Sequence, residues 1–296
     1  MTDGLLVVDK PAGPTSHDVV AVVRRSLGQR RVGHAGTLDP DATGVLLIGV
    51  GRATRLLRFA SDLPKRYIGE LVLGVATSTL DASGEVTGRW DMDGVEPADV
   101  RRAVASLTGP IMQVPPMVSA VKVGGRRLHE LARKGIEVER PARPVTVHSF
   151  TVEPTGEAGV HRFEVECSSG TYVRTLVADL GTRLGGGAHL RLLRRTAVGP
   201  QSVEGAVALA DAGPESLRPA RDLVAHLEAV DVDDEAATAV GHGRRLQRPP
   251  EASGPGPWAV LSGGRLIAVY EADGPDSMRA AVVLEPAAGG SPTGPE

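Results

Sequence analysis

The sequence predicts an α+β fold: a mixed, largely antiparallel sheet with packed helices, followed by a small β-rich C-terminal domain. Three observations point there. Apolar residues recur with period two in stretches such as "KRYIGELVL" and with helical spacing in stretches such as "EPADVRRAVASLTG". The two kinds of stretch are interspersed without the regular strand–helix–strand rhythm of a parallel sheet. After Val230 short β runs dominate, in "PWAVLSGGRLIAVYEAD" and "MRAAVVLEP".

The elements follow in order. "GLLVVDKPAG" reads as a short buried strand stopped by Pro11 and Gly13. "TSHDVVAVVRRSLG" is predicted helical, with Ser16 as N-cap, apolar residues at Val19, Val20, Val22 and Val23, and Gly28 past its last turn. "GVLLIGVG" suits a buried strand. In "KRYIGELVLGVATSTLDASGEV" a strand around Tyr67, Ile68, Leu71 and Leu73 is predicted to end in a turn at "DASG". A helix capped at Glu96–Pro97 stops before Gly109–Pro110. "PVTVHSFTVEPTG" and "HRFEVECSSG" give two strands, and "TYVRTLVADLGTRLGGG" the helix after them. The expected domains are 1–229, with a basic insert at about 113–145, and 230–286. "RPPEASGPGP" is a long loop in the second, and the tail 287–296 has no apolar anchor and is expected to be disordered.

Composition narrows the function. The chain of 296 residues is 41% hydrophobic and 23% charged, as in an ordinary soluble domain. Its single cysteine, Cys167, rules out an intrachain disulfide and a cysteine zinc cluster, and fits a reducing cytoplasm. No basic leader followed by an apolar run opens the chain, and no apolar stretch approaches a membrane span. The net charge of −3 hides an asymmetry: residues 1–200 carry 26 Lys+Arg against 21 Asp+Glu, while the remainder carries 7 against 15. The longer part is therefore suited to a polyanion. The abundance of arginine over lysine reads more readily as coding bias than as selection for phosphate forks.

The stretch from Gly33 to Leu56, "GHAGTLDPDATGVLLIGVGRATRL", is the candidate site. Asp39 sits in a tight glycine-rich loop entering a core strand. Spacing leaves open a structural turn, a catalytic carboxylate or a metal ligand with His34, although no third or fourth ligand stands nearby. The glycines do not form a phosphate loop, which needs Gly-Lys-Ser/Thr. Tyr67 in "KRY" and Tyr172 in "SSGTYVRT" lie in basic, polar settings. They read either as strand tyrosines with wet hydroxyls or as rings that stack on a base. The insert "QVPPMVSAVKVGGRRLHELARKGIEVERPARPV" is either a solvated basic face or a groove wall. In the second case Lys122, Arg126, Arg127, Arg133 and Lys134 meet phosphates.

Together with "GLLVVDKPAGPTSHDVV" and "CSSGTYVRTLVADLGTRLGGGAHLRLLRRTAVG", these blocks resemble the TruB family of tRNA pseudouridine(55) synthases, in family order over about residues 4–210. The resemblance implies a pseudouridine synthase fold with a PUA-like C-terminal domain. It implies isomerisation of a T-loop uridine by base flipping, without cofactor or metal. Its partner is tRNA, through T-loop and T-stem. A cytoplasmic monomer with no membrane contact and no obligate protein partner is expected. By resemblance Asp39 is the nucleophile, Arg174 its partner, and Tyr67 the ring that stacks on the target base near the proton leaving C5. Tyr172 and Leu193 are expected to line the pocket. His34 is expected to fill the space vacated by the flipped base, and Lys65, Lys122, Arg126 and Arg133 to bind substrate. The chain departs from the family at His129 and Val118. Its C-terminal region is acidic, with one basic cluster in "GHGRRLQRPP" at 241–250.

Overall fold

The computed structural model describes residues 2–117, 138–250 and 252–285, together with the backbone of 122–123 and 126–127. Arg133, Lys134, His129, Val118 and the tail 287–296 lie outside the described residues. So do the side chains of Lys122, Arg126 and Arg127, whose backbones pair as a two-stranded hairpin, β8 (Lys122–Val123) and β9 (Arg126–Arg127).

Among the described residues, ten strands form the main sheet. Its order is β14 (Val207–Ala208), β1 (Gly4–Lys10), β3 (Thr43–Val50), β12 (Ala188–Val198), β4 (Lys65–Leu73), β11 (Val160–Cys167), β10 (Arg143–Pro154) and β7 (Gly109–Gln113). At its side β2 (Val32–Ala35) pairs with β3 and β13 (Gln201–Ser202) with β12. The pairings β1–β14 and β3–β12 are parallel and the others antiparallel. The sheet is thus mixed and largely antiparallel, as predicted. The strand β12 at its centre has no counterpart among the predicted elements. Beyond the end of β4, β5 (Val75–Thr77) and β6 (Val86–Arg89) pair around the "DASG" turn.

Strands β1 and β3 read as continuous apolar runs because both faces are covered. Leu6, Val8, Leu46, Ile48 and Val50 pack with Val19, Val20 and Val23 of helix α1 (Ser16–Ser26). Leu5, Val7, Val45 and Leu47 point the other way, to Leu57 and Ala60 of the short helix α2 (Leu57–Ser61) and to the C-terminal region. The cap of α1 is Thr15, one residue before the predicted Ser16. Thr15 closes a capping box with Asp18. Ser16 is buried instead, and its hydroxyl accepts from Leu38 N at 3.0 Å and donates to Leu38 O at 3.2 Å.

The other half of the sheet buries Tyr67, Leu71 and Leu73 of β4 beneath helices α3 (Pro97–Ser106) and α4 (Val173–Arg183). Ile68 takes the opposite face of the pleat and is exposed. A separate five-stranded sheet follows, in the order β15 (Glu228–Asp231), β17 (Trp258–Ser262), β18 (Arg265–Ala272), β19 (Ser277–Val283) and β16 (Leu246–Gln247). One face buries Trp258, Val260, Ala268 and Tyr270 against Val240 of helix α5 (Asp234–Gly241). Ala259, Leu261 and Val269 on the other join the cluster of Leu57, Ala60, Leu223 and Val224. No helix among the described residues is long and apolar enough to cross a membrane.

The approach of β3 to β12 is close enough to require glycine. Gly44 has φ of 103°, and a β-carbon there would stand 2.1 Å from the carbonyl oxygen of Arg195. Gly44→Ala is expected to lower the free energy of unfolding by about 2–4 kcal/mol, measured by chemical denaturation.

Candidate active site

Asp39 lies on the loop between β2 and β3, and side chains from three other segments hold that loop's carbonyls. Arg195 of β12 donates from Nη2 to Gly36 O at 3.0 Å, from Nη1 to Thr37 O at 3.5 Å, and from Nε to Val45 O at 2.7 Å. Ser16 holds Leu38. Lys10, fully buried at the end of β1, donates from Nζ to the carbonyls of Pro11, Pro14 and Pro40, each at 2.8 Å. The loop is thus set by the sheet and by the N-terminal turn together.

The predicted pair forms. Arg174, in the first turn of α4, places Nε 3.1 Å from Asp39 Oδ2 and Nη2 3.3 Å from Asp39 Oδ1, a two-pronged contact. Its third nitrogen, Nη1, reaches Asp81 Oδ2 at 3.1 Å and Thr79 O at 3.2 Å. In the sequence Asp81 stands out only as part of the turn "DASG". Its place opposite Arg174 depends on a contact between residues 93 apart in the chain, which no local spacing signals.

The two carboxylates on Arg174 differ. Burial pushes Asp81 up, but hydrogen bonds from the Ser83 and Thr79 hydroxyls, with the Arg174 charge, hold it below the usual aspartate range. For Asp39 burial wins. It pushes the carboxyl above its ordinary value against the pull of Arg174, with Asp81 and Asp41 adding to the rise and Lys10 opposing it. The guanidinium alone lowers the carboxyl, but the net shift is upward, because desolvation exceeds its attraction. Asp39 is surrounded by protein mass, yet 47% of its side chain is open to the cavity.

Two adjoining cavities meet at Asp39, Arg174 and Leu193. One, of about 280 Å³, is lined by Gly36, Lys65, Tyr67, Tyr172 and Arg195 among others. The other, of about 450 Å³, runs past Asp81, Ala82 and Ser83 to Leu190 and Leu192. Tyr67 is buried, and burial raises its hydroxyl pKa although Arg195 opposes the rise. Tyr172 caps α4, and buried Gln113 fixes its backbone: Tyr172 N donates to Gln113 Oε1 at 2.7 Å and Gln113 Nε2 to Tyr172 O at 3.0 Å. Lys65 is buried at the start of β4, and desolvation with the nearby Arg195 charge lowers its pKa to about 8.

His34 stands apart from these predicted residues. It lines neither cavity and lies on β2, edge-on to His17 with ring centroids 5.3 Å apart. Burial, then His17 and Arg195, lower its pKa. Sequence does not single out Arg195 and Lys10, because a buried cation that holds carbonyls has no spacing signature.

Residues 24–173 match the family model described as TruB family pseudouridylate synthase (N terminal domain). Residues 174–217 match that of the tRNA pseudouridylate synthase B C-terminal domain. The chain is 49% identical over 280 residues to the tRNA pseudouridine synthase B of Thermobifida fusca (strain YX), with 92% of this chain and 95% of the relative covered. It is 48% identical over 280 residues to that of Streptomyces coelicolor (strain ATCC BAA-471 / A3(2) / M145), with 91% and 93% covered. Among solved structures, a Cbf5–Nop10–Gar1 complex superposes with a TM-score of 0.75 at 28% identity, over 96% of this chain and 85% of that one. An H/ACA RNP bound to a substrate RNA containing 2'-deoxyuridine gives a TM-score of 0.72 at 26% identity, over 96% and 85%. The chain belongs to the TruB family of pseudouridylate synthases.

Proposed function

We propose that the protein isomerises uridine 55 in the T-loop of tRNA to pseudouridine, with Asp39 as the nucleophile. The observation that carries this is a carboxylate held on two prongs by Arg174, open to a cavity that Tyr67 also lines. In the reaction the N1–C1' bond breaks, the base turns, and a C5–C1' bond forms. A proton leaves C5 and N1 gains one, so substrate and product have the same atoms. A carboxylate can add to the nucleoside and leave again.

A uridine within a folded loop must be extruded to reach Asp39, at a cost of a few kcal/mol, which contacts elsewhere on the RNA offset. In this reading Tyr67 stacks on the flipped base. Its raised pKa favours a neutral phenol placed near the C5 proton. Tyr172 and Leu193 wall the cavity, Lys65 meets the substrate from its lining, and His34 fills the space left by the base. Lys122, Arg126 and Arg133 of the insert bind the phosphates of the T-stem in this reading. The residues before β15 form the catalytic domain, and the C-terminal sheet from β15 onward belongs to a PUA-like module. The protein acts as a monomer in the cytoplasm, with tRNA as its partner.

Replacement of Asp39 by Asn is expected to abolish tritium release from tRNA labelled at uridine C5, a loss of about 10⁴-fold or more. Activity that survives in Asp39→Asn, or none in the parent, defeats the assignment.

Because Asp39 lies above the ordinary aspartate range and must be ionised to attack, turnover loses its acid limb at a correspondingly raised pH. Arg174→Ala removes the main opposing charge while burial, Asp81 and Asp41 remain. The limb then moves to still higher pH, and the plateau rate falls by about 10²–10³-fold. Single-turnover rates across pH check this, and a limb that stays in place or moves down contradicts it.

Tyr67→Phe keeps the ring and drops the hydroxyl. Turnover is expected to fall by about 10²-fold or more with little change in tRNA affinity, as measured by equilibrium binding beside the tritium assay.

A further inference from the structure

A group of arginines gathers where α2 meets the C-terminal sheet. Arg58 Nη2 lies 3.2 Å and Arg279 Nη2 3.9 Å from the two oxygens of Glu271. Arg55 donates from Nη1 to the carbonyl of Val283 at 2.7 Å. Arg31 donates from Nε to the hydroxyl of Thr54 at 3.1 Å. All four arginines are exposed. Among the described ion pairs they share one carboxylate, and Arg31 and Arg55 rest on neutral oxygens. Burial, then the charges of Arg31 and Arg58, depress the pKa of Arg55, so the guanidinium groups act on one another. Uncompensated like charge at a seam is costly to hold unless an anion joins it.

The group adjoins a helix whose last residue lines the catalytic cavity. Residues 55, 58 and 61 are three apart along the helical stretch that ends in α2 and so share one side of it. Ser61 and Lys65 line the Asp39–Tyr67 cavity. Asp62, just past the helix, acts on Lys65. The basic cluster noted at 241–250 is largely engaged internally. Arg245 pairs with Asp273 at 2.8 Å, and Arg248 stacks on Trp258 and donates to the carbonyls of Ala252 and Gly254.

We propose that Arg31, Arg55, Arg58 and Arg279 form a phosphate-binding surface at this seam, which grips the sugar–phosphate backbone of the substrate RNA away from the reacting uridine. The identity of the polyanion rests on the isomerase reading above. Each phosphate neutralised by a guanidinium releases counterions, so affinity depends on salt in proportion to the number of phosphates engaged.

The test measures equilibrium binding of unmodified tRNA transcript to the full chain over a series of KCl concentrations. In Arg31→Gln, and in Arg31→Gln combined with Arg55→Gln, the slope of log affinity against log salt is expected to fall by about 0.9 for each phosphate no longer neutralised. The effect should appear in KM rather than in kcat. Arg31→Gln touches no residue of the C-terminal sheet, so it reads charge apart from seam packing, and Arg55→Lys, which keeps the charge, should retain the parental slope. An unchanged slope in Arg31→Gln, or an equal fall in slope in Arg55→Lys, overturns the proposal. Failure of the isomerase reading is distinct: the parent would then release no tritium from tRNA while the salt dependence still reports the surface.

Discussion

Lys10 and Arg195 hold the loop of Asp39 in shape by taking up its backbone carbonyls. Both cations are buried, and a buried charge is costly unless hydrogen bonds compensate it. Here carbonyl oxygens provide that compensation, three for each side chain. Charge-assisted hydrogen bonds are worth about 1.5–3 kcal/mol each, so the loop is rigid before any substrate arrives. The close approach of Gly44 to Arg195 belongs to the same arrangement, since it brings β12, and with it the guanidinium, beneath the loop.

On that rigid base the electrostatics of the site are set by one guanidinium between two carboxylates. Hydroxyls satisfy Asp81, which serves as a fixed counter-charge for Arg174. Asp39 has the cation on one side and the open cavity on the other. A preorganised arrangement of this kind does not have to reorganise when charge shifts during reaction. Its cost is a carboxylate held away from its most comfortable protonation balance, which is a common mark of a reacting group.

Much of this is legible in the sequence where a local rule governs. Buried strands β1 and β3 and the Glu96 cap of α3 stand as expected, whereas the contact of Asp39 with Arg174, 135 residues apart, is legible only through the family resemblance. Differences arise where a local rule meets a tertiary demand. Ser16 looks like a cap, but its hydroxyl is required by Leu38, and Thr15 takes the role. Strand β12 carries Arg191, Arg194 and Arg195 and so lacks an apolar signature, yet it lies at the centre of the sheet. The place of Asp81 and the net upward shift of Asp39 depend on residues far apart in the chain and on burial, neither of which spacing encodes. His34 shares the Asp39 motif but packs edge-on to His17.

The apolar cluster that joins Leu57 and Ala60 to Ala259, Leu261 and Val269 has a consequence for how the chain can change over time. The C-terminal sheet is a structural support for α2, whose last residue borders the catalytic cavity. It cannot be exchanged for an unrelated module or lost by truncation without stripping α2 of its greasy backing. Substitutions on its inner face are therefore constrained by the chemistry at a site they never touch, and drift there should be slower than on the face turned to solvent.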